Sequence, residues 1–177
     1  MLKASGLHPI TTASPKNFDL VKSFGAADVF DYTDDGTPAR IAASYPDLAA
    51  GLDTIAEKGT TAQAVLSFGE KGGHLITLLP TKPEQQGGRP EVKVEATLVY
   101  SVSGKEVNFG PSWVIPAMPE DRTAIEQWLN YVPSLIESGG LRSNPLWSQS
   151  GGLKAIPEGL ALLREGKVSG QKVTYKL

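Results

Sequence analysis

His8–Tyr32, HPITTASPKNFDLVKSFGAADVFDY, decides the fold. The β-branched run Ile10-Thr11-Thr12 stops at Ser14-Pro15, a helical pattern follows, and Ala26–Asp31 returns to an extended pattern, so the stretch reads as a β-α-β unit. Ser14 is placed to cap the helix with Pro15 at its first position, where the missing N–H has no intrahelical partner to lose. Phe18, Val21 and Phe24 fall on one helical face, and Gly25 sits where a left-handed C-terminal turn belongs. Ser14, Lys16 and Asn17 are thereby expected at the carboxyl end of a parallel strand, which is where open α/β sheets bind ligands.

The alternation continues outward from this stretch. Met1–Gly6 has the pattern of a last helical turn. Asp34–Pro38 is a turn, followed by a short helix over Ala39–Ser44 with Thr37 as its cap. Gly51–Ile55 reads as a buried strand, Thr60–Lys71 as an amphipathic helix with Ala64, Val65 and Phe68 inward, and His74–Leu79 as a further buried strand stopped by Pro80. Three strand-helix alternations predict a mostly parallel sheet with right-handed crossovers. After a polar loop, Glu91–Val102 shows period-two alternation over its whole length, the mark of a long strand with one wet face. Trp113 stands in a Gly-Pro-Ser-Trp loop. A helix opens at Pro119-Glu120-Asp121 and runs to about Ser138, with Ile125, Trp128, Leu129, Val132 and Leu135 on its apolar side and Pro133 interrupting it. An extended Asn144–Trp147, a helix over Gly152–Gly166 and a terminal strand Val173–Leu177 complete the pattern. The expected organisation is a single domain over 1–177, with a β/α half at 1–80, loop and long strand at 81–118, and helices and the last strand at 119–177.

Composition narrows the function classes. With 177 residues, 40% of them hydrophobic and 20% charged, the chain can bury a real core. Its formal net charge is −2 and the basic residues are scattered, which speaks against a nucleic-acid or anionic-membrane surface. The absence of cysteine removes disulfides, thiolate zinc sites and cysteine nucleophiles. Two histidines give little for a metal to bind, so no metal is expected. No apolar run approaches the roughly 20 residues that span a bilayer, and a cytoplasmic protein is expected.

Several residues have two physical meanings. Ser14 and Lys16 either contact a polar ligand or simply start a helix. Tyr32 lines a cleft or packs at a strand end. Asp53, Glu57 and Lys58 follow a central strand, where acid-base residues are well placed; Asp53 serves equally as a turn-forming carboxylate, and Glu57-Lys58 as a solvated pair. His74 and His8 read as proton shuttles or as structural histidines. Tyr100, Trp113 and Trp147 either stack on a flat ligand or lid the core. No nucleophile elbow and no Ser-His-Asp spacing is present.

Ser14–Ser23, Gly25–Tyr32 and the closing Gly159-Leu160…Arg164-Glu165-Gly166-Lys167-Val168-Ser169-Gly170-Gln171-Lys172-Val173 together resemble the C-terminal half of the medium-chain dehydrogenase/reductase superfamily. Within it, the chain is most similar to fungal trans-acting enoyl reductases of polyketide pathways, the lovastatin enoyl reductase type. The resemblance implies a truncated Rossmann-like α/β fold without its first strand. It also implies that Ser14 and Lys16 contact the 2′-phosphate of NADPH, that Tyr32 lies beside the adenosine, and that the segment after Leu78-Leu79 meets the nicotinamide end. The family's Gly-rich pyrophosphate turn has no counterpart between Gly6 and Gly25, and the N-terminal domain has none either. In the strand order 3-2-1-4-5-6 the absent first strand is central, so either strand two pairs directly with strand four or a second copy closes the edge.

Three functions follow. The leading expectation is a repurposed enzyme without NADPH, acting on an apolar polyketide-like molecule in a non-redox cyclisation, isomerisation or dehydration, with His8, Asp53, Glu57, Lys58 and His74 as candidate catalytic groups. The others are an NADPH-dependent reductase completed by a partner, and a non-catalytic scaffold. Homodimerisation through the Glu91–Val102 edge or an exchanged element is expected.

Overall fold

The structure, a computed structural model, describes residues 1–111 and 113–177. Ser112, within the expected Gly-Pro-Ser-Trp loop, lies outside the described residues. The chain divides into two units, Met1–Val29 with Tyr131–Leu177, and Phe30–Asn130.

In the first unit, β1 (Ile10–Ala13) forms a two-stranded sheet with β2 (Asp28–Asp31), the strand at which the unit ends. Between them come a 3-10 turn, Pro15–Asn17, and the helix α1 (Phe18–Ser23). Ser14 takes the cap position with Pro15 after it, yet its hydroxyl makes no cap bond. The tight turn is closed instead by the Asn17 N–H donating to the Ser14 carbonyl at 2.8 Å. Gly25 is at φ +102°, as a left-handed turn requires. Because α1 ends at Ser23, Phe24 leaves the helical face and is exposed, its ring 5.2 Å from the Arg142 guanidinium.

A second β-α-β unit closes this part of the chain. The parallel pair β8 (Leu146–Gln149) and β9 (Lys172–Tyr175) flanks a turn, Gly152–Ala155, and the helix α5 (Ile156–Arg164). Gly159 on α5 is buried where the Tyr175 ring crosses it, and a Cβ there would stand 1.7 Å from the Tyr175 hydroxyl oxygen.

The second unit holds the parallel sheet β3 (Ala50–Asp53), β4 (Gly73–Thr77) and β5 (Val92–Ala96), in that order. Its core joins Val65 of α3 (Thr60–Leu66) and Phe68 to Leu75 and Val92. The Phe68 ring packs so close that a Cβ at Gly73 would come within 2.5 Å of it, and one at Gly51 within 3.2 Å. β1 and β3 belong to separate sheets, so direct pairing of these two strands is not made among the described residues.

Several boundaries differ from the sequence reading, among them β3, which spans Ala50–Asp53 and leaves Leu52 and Ile55 exposed where a buried strand over Gly51–Ile55 is expected. The long strand ends at Ala96, because β4 ends at Thr77 and offers no further partner; Val99–Ser103 turns into a 3-10 helix. Regular α3 ends at Leu66, where Arg89 donates to the carbonyls of Phe68 (2.5 Å) and Gly69 (2.7 Å) and so satisfies the chain end. Thr37 lies inside α2 (Thr37–Ser44), buried, and its hydroxyl donates to the Asp31 carbonyl; Gly36 takes the cap position. β4 stops two residues short of Leu79, leaving Leu78 and Leu79 outside the sheet.

Past the sheet, β6 (Val107–Asn108) and β7 (Val114–Ile115) form a short antiparallel hairpin, and α4 runs Pro119–Glu137 with Pro133 inside it. On α4, Ile125, Trp128 and Val132 are half-buried and Leu135 is buried, which is the expected stripe apart from exposed Leu129.

Candidate functional site

The residues marked by the sequence fall on two surfaces. In the first unit, the turn Ser14–Asn17 stands at the carboxyl end of β1. Ser14 is half-buried with an extended backbone, and Lys16 is exposed and engaged by no partner among the described residues. Asn17, half-buried, donates from its side-chain amide to Ser169 Oγ at 3.0 Å. His8 is exposed two residues ahead of β1. Trp147 is half-buried on β8.

In the second unit, the carboxyl ends of β3, β4 and β5 lead into three loops. Asp53, the last residue of β3, is buried and accepts four hydrogen bonds: from the amides of Ile55 (3.0 Å) and Ala56 (2.9 Å) at Oδ1, and from the hydroxyls of Thr60 (2.9 Å) and Thr61 (2.8 Å) at Oδ2. Burial pushes the Asp53 carboxyl up, but these four donors outweigh it and hold the group below the ordinary carboxylate value. The turn it fastens carries Ala56 and Lys58 at φ +54° and +53°, with Glu57 and Lys58 exposed at its tip. After β4, Leu78 (41% exposed) and Leu79 (43%) project outward, anchored by the Leu78 N–H on the Asp53 carbonyl and the Thr77 hydroxyl on the Leu79 carbonyl. After β5, Val99 and Tyr100 are exposed. Tyr100 meets Phe109 edge-on at 4.9 Å, and Phe109 stacks on Trp113 at 4.5 Å. Tyr32, beyond β2, is 51% exposed.

The carboxyl edge of this sheet is thus an apolar rim of Ile55, Leu78, Leu79, Val99 and Tyr100 over a rigidly bonded base. The candidate acid-base residues do not converge there. His74 sits opposite Ala50 in the register and Asp53 opposite Thr77, which puts the two about 10 Å apart along the sheet and on opposite faces. His74 Nε2 is 3.1 Å from Glu95, which Lys93 also holds at 2.6 Å. These two partners lower the Glu95 carboxyl, Lys93 first and His74 second. Among the described residues no three His, Asp or Glu side chains are grouped to hold a metal, and no helix is long and apolar enough to cross a membrane.

Sequence reasoning missed Phe109, whose place in the aromatic trio depends on a hairpin of only two residues per strand, and Ser169, which meets Asn17 across 152 positions. The alternation of aromatic and turn residues around Gly110 was the available signal for the first; no local pattern marks the second.

No protein-family model matches the chain. Among curated proteins, it is 37% identical over 178 residues to "Trans-enoyl reductase FSL5" of Gibberella zeae and 36% identical over 178 residues to "Dehydrogenase mokE" of Monascus pilosus, covering 100% of this chain and 49% of each relative. Among solved structures, it is similar to the "CurF ER cyclopropanase from curacin A biosynthetic pathway" (TM-score 0.67, 16% identity, 99% of this chain and 49% of that one). It is likewise similar to the JamJ enoyl reductase (TM-score 0.68, 12% identity, 99% and 49%). The chain spans about half the length of the curated relatives it matches. Over that half the chain is similar to the fungal trans-enoyl reductases, and its mixed α/β fold with parallel strands flanked by helices is that of the matching half of the solved enoyl reductases.

Proposed function

We propose that the chain serves enoyl-reductase chemistry in a fungal polyketide-type pathway, and that its Ser14–Asn17 turn reads the ribose 2′-phosphate of NADPH. The observation that carries this is Lys16: exposed, without a partner among the described residues, and placed with Ser14 at the carboxyl end of β1. A flexible ammonium beside a hydroxyl suits a phosphate, which takes charge-assisted hydrogen bonds from both. The pyrophosphate of the dinucleotide is not assigned to residues of this chain, since no two of its glycines are separated by a single residue and a G-x-G-x-x-G turn is not among them. When bound, NADPH supplies the hydride that reduces an enoyl double bond. The trans-enoyl reductase names of the relatives support this reading.

A second reading, non-redox cyclisation, isomerisation or dehydration of an apolar polyketide-like molecule without NADPH, draws on the apolar rim. Exposed Ile55, Leu78, Leu79, Val99 and Tyr100 offer such a molecule contact area in one unit. Calorimetric titration with NADPH separates the two. Saturable binding that weakens about tenfold or more in Lys16→Ala, the worth of one charge-assisted contact, is expected. Absence of NADPH binding, together with capture of an apolar pathway intermediate, supports the second reading, and association with a full-length reductase without either ligand supports a scaffold.

A further inference from the structure

Asn17 is restrained twice. Its backbone N–H closes the 3-10 turn on the Ser14 carbonyl at 2.8 Å, and its side-chain amide donates to Ser169 Oγ at 3.0 Å. The loop that brings Ser169 also brings Gly170, at φ +64°, against the same place: a Cβ on Gly170 would stand 2.9 Å from Leu20 Cδ2 and 3.0 Å from Asn17 Oδ1. Only a residue without a side chain lets the loop come this close. The half-buried hydroxyl and the glycine together therefore press on one asparagine, one position after Lys16.

We infer that Asn17 and Ser169 form a clamp that holds the Ser14–Lys16 turn in the one shape able to distinguish a ribose 2′-phosphate from a free 2′-hydroxyl. This rests on the phosphate-reading role proposed for Lys16. A lysine on a mobile turn attracts any anion, and in water a single pair is worth only about 1 kcal/mol at contact. Discrimination requires the side chains of Ser14 and Lys16 to leave the turn in fixed directions, toward one phosphate, and those directions are set by the backbone between them. Asn17 and Ser169 are positioning residues, with no contact of their own to the nucleotide.

The test uses the whole chain and two probes that differ only in the 2′-phosphate, adenosine 2′,5′-bisphosphate and adenosine 5′-monophosphate, titrated calorimetrically. The readout is the ratio of their affinities, which partial unfolding leaves unchanged because it scales both alike. The parent chain prefers the bisphosphate. Asn17→Ala and Ser169→Ala each lower that preference by roughly three- to tenfold, the range of one ordinary hydrogen bond. Ser169→Thr, which keeps Oγ, restores it, and the double variant is no worse than either single one. If Asn17→Ala does not fold, Ser169→Ala carries the test alone. A parent chain without preference removes the role of Lys16 and the clamp with it. A preference undiminished in the variants, or an equal loss of both nucleotides, overturns the clamp and leaves Lys16 standing.

Discussion

Asp53 fastens its turn with four bonds, and two of the residues held there, Ala56 and Lys58, stand in the left-handed region without being glycine. Such backbone persists only where its surroundings enforce it, at about 1–3 kcal/mol per residue. Asp53→Ala strands two amides and two hydroxyls and releases that turn, so a loss of about 2–4 kcal/mol in urea-induced unfolding is expected. The charge also sets a pH window. Because the folded carboxyl lies below its ordinary value, its contribution is complete above the unfolded value of about 3.9 and disappears as pH falls through the folded one. The stability gap between the parent and Asp53→Asn should therefore be wide at neutral pH and shrink on acidification; a gap constant down through the acid range would show that the charge is not responsible. At this scale the sequence was ambiguous for a definite reason. A carboxylate ending a strand suits both proton transfer and turn formation, and the choice depends on the hydroxyls of Thr60 and Thr61 coming back to it, which is a matter of where α3 starts.

Gly159 and Tyr175 show how an element is fitted to its neighbour. The Tyr175 hydroxyl is buried and has no hydrogen-bond partner among the described residues, so Tyr175→Phe should be neutral or stabilise by up to about 1 kcal/mol, since an unsatisfied buried group costs more than its removal. Gly159→Ala, by contrast, places a methyl 1.7 Å from that oxygen and should destabilise by about 1–3 kcal/mol. In the double variant most of the loss should be recovered, because the overlapping atom is gone; additive thermal-denaturation costs would disprove the packing seen here. On the other sheet, Phe68 covers Gly51 and Gly73, and Phe68→Ala should cost about 3–5 kcal/mol. The inward positions Val65 and Phe68 were legible from helical spacing. The ends were not: Glu91–Val102 alternates correctly throughout, but a strand is only as long as its partner, and Thr77 closes β4.

At the scale of the molecule, β3 and β5 are the outer strands of a three-stranded parallel sheet, and their edges differ. β5 carries Lys93 and Glu95, charges of the kind that discourage edge pairing, whereas β3 presents Leu52, 55% exposed and pointing away from the α3 face. Concentration-dependent self-association in sedimentation velocity should accordingly decrease in Leu52→Lys and be unchanged in Lys93→Ala; an increase in Lys93→Ala with no effect of Leu52→Lys would assign association to the β5 edge. The order of strands and helices was readable because each leaves a periodic trace of its own. The division into units was not, since one of them is assembled from Met1–Val29 and Tyr131–Leu177, segments that no local pattern connects. That discontinuity gives synthesis on the ribosome a direction. Residues 30–130 can gather their sheet as soon as they emerge, while Asn17 waits for Ser169, made 152 positions later. At about 5–20 residues per second the intervening stretch takes roughly 5–20 s to make. Through that interval Leu20 lacks the Gly170 loop that packs against it, and a nascent-chain binding factor would find it uncovered.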